Sequence, residues 1–121
     1  MIRSSHALQA ARAAYAKAAK GPQIIARAET EALVKAARLL DQARHGRGDL
    51  AGALRFNHRL WSIFQSDLET EGSPLSDDLR RNLLDLCDFM AQEINLAARD
   101  PSTARLDEMI AVNRTLAQRD P

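Results

Sequence analysis

Leu54-Arg55-Phe56-Asn57-His58-Arg59-Leu60-Trp61-Ser62-Ile63-Phe64 holds the only Trp of the chain and two of its three Phe. On either side, Leu50, Leu54, Asn57, Trp61, Phe64 and Leu68 continue a 4-3-4-3-4 spacing. That is the period of one helical face. Ala53, Phe56, Leu60 and Ile63 widen the face. The spacing predicts a helix over about 50–70, and an apolar face this wide meets more than one neighbour. It is therefore expected to be the central helix. Asn57 alone breaks its apolar character.

Working toward the C-terminus, Glu71-Gly72-Ser73-Pro74 ends this helix, and Ser76 caps the next, with Asp77 and Asp78 at its positive end. Leu79, Leu83, Leu86, Cys87, Met90, Ile94 and Ala97 form a core stripe to about residue 98. Phe89 and Leu96 lie on another flank, so they require a second neighbour or a partner. Asp100 and Pro101 read as the cap and first residue of a helix near 103–118. Its face carries Leu106, Met109, Ile110, Asn113, Leu116 and Ala117.

Toward the N-terminus, His45-Gly46-Arg47-Gly48-Asp49 is a turn with Asp49 as cap. Before it, Ile25, Ala28, Ala32, Ala36, Leu39 and Ala43, flanked by Leu33 and Leu40, predict a helix near 23–45. Such a helix is about 34 Å long. Gly21-Pro22 separates it from an Ala-rich helix near 5–20. That first helix has only Leu8 and Tyr15 as large side chains on one face, so it is expected to dock weakly. No strand-like alternation occurs. The expected fold is all-α: one domain over 1–121, an antiparallel helical bundle of about five helices. Three long helices are central and two shorter terminal ones cover them.

The 121 residues are 45% hydrophobic and 27% charged, an ordinary balance for a folded domain. A net charge of +1 gives no global field toward nucleic acid or membrane. The lone Cys87 allows no internal disulfide, and no signal peptide or membrane-spanning run is seen. A cytoplasmic location is expected.

No constellation for chemistry is present. His6, His45 and His58 lack metal-ligand spacing with one another or with Cys87. Cys87 falls on a core stripe, where a thiol is structural. Asp77, Asp78, Asp85 and Asp88 read as capping and surface charges. Arg47-Gly48-Asp49 is an adhesion tripeptide elsewhere, but here it reads as a turn and cap. No phosphate loop or nucleophile elbow occurs. The expectation is no enzyme, no metal and no cofactor.

Arg55, His58, Arg59 and Ser62 share the polar side of the 50–70 helix. They suggest either a solvated face or an RNA contact through phosphate charge. Asn57 and Asn113 stand at apolar positions. A buried amide without partners costs about 1–3 kcal/mol. Each must therefore bond to a neighbouring backbone, a loop or the other Asn, as a register pin or as a grip on a bound peptide.

The central segment, Gln65-Ser66-Asp67 after it, and Ile110-Ala111-Val112-Asn113-Arg114-Thr115-Leu116 together resemble the FlaF family. An N-x-R-L-W segment is matched by Asn57, Arg59, Leu60 and Trp61, and an I-x-x-N-R segment by Ile110, Asn113 and Arg114. Ala14-Tyr15 and the acidic, Leu-rich stretch from Leu75 to Leu84 fit as well. The resemblance implies a small helical regulator of flagellin synthesis and secretion. Its implied partners are flagellin, gripped in a chaperone-like way, and the second regulator FlbT. Leu8, Tyr15, Phe89 and Leu96 are the expected partner-binding residues. An RNA-binding regulator of flagellin mRNA is the alternative, and the near-zero net charge weighs against it.

Overall fold

The computed structural model describes residues 27–70, 76–101 and 105–117. They form four helices: α1 (Arg27–Arg44), α2 (Leu50–Glu69), α3 (Asp77–Arg99) and α4 (Leu106–Ala117). Helix is the regular structure of the described residues, which contain no strand. The expected helix near 5–20, with Leu8 and Tyr15, lies outside them.

Local chemistry sets the boundaries. At the end of α1 the Gly46 N–H donates to the Ala43 carbonyl at 3.1 Å and the Arg47 N–H to the Gln42 carbonyl at 2.8 Å. This closure needs a left-handed residue, and Gly46 has φ +73°. Three residues on, Asp49 starts α2 by accepting from the Gly52 N–H at 3.1 Å. Ser76 does the same for α3, accepting from the Leu79 N–H at 3.2 Å.

Asp100 closes α3: its N–H donates to the Leu96 carbonyl at 2.8 Å. Pro101 follows in a 3-10 turn, and α4 runs from Leu106, later than the expected start near 103.

The helices pack antiparallel around a closed circuit. The five-residue turn 45–49 folds α2 back along α1. Arg44 near the end of α1 pairs with Asp107 at the start of α4, and Arg114 reaches Asp41 at 3.9 Å. The first half of α2 lies beside the last turns of α3. The α1–α4 seam is the most extensive. Its buried residues on α1 are Leu33, Ala36, Ala37 and Leu40. This face is turned toward Leu33 and Leu40 relative to the expected Ala32–Ala36–Leu39–Ala43 line, because the two leucines bury the most apolar area. Alanines between them let the helix axes approach closely.

Phe89 also departs from expectation. It is 3% exposed, inside the core, and not on an outer partner-binding flank. The chain itself covers that flank of α3: Glu93, one turn beyond Phe89, is buried too and lies against Arg105 just before α4. With α2 on one side and α4 on the other, α3 buries an arc wider than its Leu stripe. Leu96 is half-buried.

Candidate functional site

Two features stand out: a polar chain in the core and an open groove on the outside. Both are built from the same segment of α2.

The polar chain starts at Trp61, whose indole Nε1 donates to Asn113 Oδ1 at 3.0 Å. Asn113 Nδ2 donates to Asn57 Oδ1 at 2.8 Å. Asn57 Nδ2 donates onward to the Ala53 carbonyl at 2.9 Å and the Ala36 carbonyl at 3.2 Å. Both Asn side chains are fully buried. Helices α2 and α4 sit diagonally, with no Cα pair within 8 Å, so these side chains bridge the bundle centre. The chain ties α1, α2 and α4 into one register. Trp61 is held from its other side by Phe64, edge-on at 5.3 Å and 82°.

The remaining motif residues divide by helical angle. Leu60 and Ile110 are buried, while Arg59 and Arg114 are exposed. Arg114 joins a surface cluster on Asp41, where Arg44 and His45 also converge. The Arg44 hydrogen bond holds the Asp41 carboxyl below the usual carboxylate range, and Asp107 with Asp41 raises the Arg44 guanidinium. Arg59 is on the groove.

The groove runs between the first half of α2 and the end of α3. Leu50, Leu54, Ile94 and Ala97 form its floor, and Ala51, Ala98 and Pro101 its walls. Its volume is about 820 Å³. It exists because the facing residues are small: alanines at 51, 97 and 98 leave a gap that larger side chains would fill. Arg55, His58, Arg59 and Ser62 line the α2 rim. The three basic residues singled out in the sequence thus border an apolar trough. The role of Ala51, Ala98 and Pro101 was not visible in the sequence, because it depends on how α2 meets α3.

Glu93 was also missed. It is 3% exposed, and its Oε1 has no hydrogen-bond partner. Burial pushes its pKa up, Arg105 partly opposes this through its backbone N–H and its charge, and Glu108 adds to it. Glu93 sits among apolar residues at helical spacing with no turn signal, so nothing in the sequence marks its burial. The Cys87 thiol is buried, and desolvation pushes its pKa up to about 12, which leaves it un-ionised and inert. Among the described residues no three of His, Cys, Asp and Glu gather as a metal would require. No described helix is long and apolar enough to cross a membrane.

No curated protein and no solved structure matches the chain. The comparison with protein families does find a match: residues 11–118 fit the family described as flagellar protein FlaF. This span includes both Asn motifs, the Trp61 anchor and the groove. The chain belongs to the FlaF family of flagellar proteins.

Proposed function

We propose that this flagellar protein binds flagellin in the cytoplasm before export, as a chaperone-like, non-enzymatic factor that supports flagellin synthesis and secretion. The family match supports the flagellar context. The observation that carries binding is the open apolar groove between α2 and α3 on an otherwise well-packed helical scaffold. An amphipathic segment of an unassembled subunit can lay its apolar face into such a groove. Ordering of that segment on binding lowers the net affinity, which keeps the complex reversible, as export requires. FlbT is a further proposed partner, acting alongside in flagellin regulation. The test is capture of purified flagellin by the purified protein, with ribonuclease treatment as control. Saturable capture that survives ribonuclease and moderate salt is expected, and absence of capture would end the proposal.

The exposed row Arg55, His58 and Arg59 favours a second reading, an RNA-binding regulator acting on flagellin mRNA. That reading requires saturable binding in a filter assay, falling steeply with added salt.

A further inference from the structure

We infer that the α2–α3 groove is the docking surface, and that its occupant is an amphipathic helix of a partner protein carrying acidic side chains beside its apolar stripe. The inference rests on the partner-binding reading above and assigns its surface and its chemistry.

The shape points to a helix. The α2 side of the groove extends from Leu50 to Ser62. At 1.5 Å per residue that is about 18 Å, or roughly three turns of a guest helix. The floor is apolar, which suits one stripe of such a helix.

The sign of the charge follows from the rim. Arg55, His58 and Arg59 line the groove, and no described lining residue is acidic. Asp49 lies 3.9 Å from Arg55, and both side chains are strongly exposed. A guest with carboxylates flanking its apolar stripe is attracted, and a basic guest is repelled.

Charge and exposure also favour a separate partner over the occupants this chain could supply. Residues 1–26 carry Arg3, Arg12, Lys17 and Lys20 and no acid. Their charge matches that of the rim, which gives them no electrostatic attraction to it. A second copy offers acids on α3, at Asp77, Asp78, Asp85 and Asp88, but the apolar face of α3 is buried in its own fold. The large apolar side chains exposed among the described residues are Val34 on α1 and Ile63 on α2, one on each helix and neither on α3 with those acids. An acidic partner helix remains.

The test measures fluorescence anisotropy with the full chain and a labelled 18-residue helical peptide, whose Leu and Ala stripe is flanked by Glu. A second peptide carries Lys in place of Glu. Saturable binding of the Glu peptide is expected, at least about tenfold tighter than the Lys peptide. Arg55→Glu with Arg59→Glu should weaken it about tenfold or more. Ala51→Trp, which fills the groove from an exposed position, should abolish it. Helical content and melting of each variant are checked by circular dichroism. Equal binding of both peptides, or unchanged binding by the variants, would overturn the assignment. So would displacement of the Glu peptide by single-stranded RNA, in favour of a nucleic-acid surface. Purified flagellin separates the two proposals. No capture by the unaltered protein defeats the proposed function, whereas undiminished capture by Ala51→Trp defeats the groove as its site.

Discussion

Asn113 donates through Nδ2 to Oδ1 of Asn57 over 2.8 Å, between two diagonal helices and fully out of solvent. Each amide thereby becomes the other's partner, with Trp61 at one end and the Ala53 and Ala36 carbonyls at the other. The geometry is directional where the surrounding leucines are not, so it selects one register among several that apolar packing alone would accept.

Asn113→Leu should strand the Trp61 indole N–H and Asn57 Oδ1. Each unsatisfied buried group costs about 1–3 kcal/mol, so a total loss near 3 kcal/mol is expected in urea unfolding. Leu at both 57 and 113 should cost less than the sum of the single changes, because the two amides form one network. Strict additivity would argue against the network.

Gly46→Ala should destabilise by about 1 kcal/mol, lowering the melting temperature by roughly 4 °C. A Cβ at Gly46 meets nothing within 4 Å, so the cost comes from the φ of +73° alone. A thermal melt unchanged within a degree would mean the turn relaxes to another form.

Glu93 makes stability fall as pH rises. A carboxyl whose folded pKa lies above its unfolded one binds its proton more tightly in the folded state. Its contribution is complete below the unfolded glutamate pKa and is lost as pH rises through the raised folded value. Glu93→Gln should therefore flatten the decline between mildly acidic and neutral pH, and should be more stable at neutral pH. Asp41, held low by Arg44, acts in the opposite sense and is common to both proteins. Urea unfolding across pH 4–8 distinguishes the cases, and parallel curves would refute a role for Glu93.

Cys87 should not react with a thiol reagent such as Ellman's in the folded protein at neutral pH. Its thiol is 2% exposed as a residue, and its pKa is raised to about 12. Full reaction should appear only on unfolding, with a rate that follows global opening. Rapid native-state labelling would contradict the burial.

The extent of helix was legible in the residues wherever the signal was local. Ser76 and Asp49 act as caps, Gly46 closes α1, and the stripe from Leu83 to Ala97 is buried, all as their spacing predicts. These features depend on residues within one or two turns. Asp100 shows the limit of that locality. Its N–H completes the last turn of α3, while the helix expected near 103 begins only at Leu106, a start that no local signal marks.

By itself the sequence determined the helices of the described residues, the faces that seek burial, the inertness of Cys87 and the two amides in need of partners. Tertiary structure decided which flanks are covered and by what. It brought Phe89 and Glu93 inside, because α3 has neighbours on two sides. It also paired Asn57 with Asn113 across 56 positions. And it opened a trough beside Arg55, His58 and Arg59, where small residues of α2 and α3 face each other. Periodicity is a property of one helix, whereas a groove, a buried acid or a diagonal hydrogen bond is a property of how several helices are placed. That placement follows from the summed fit of all their faces, which no single segment encodes.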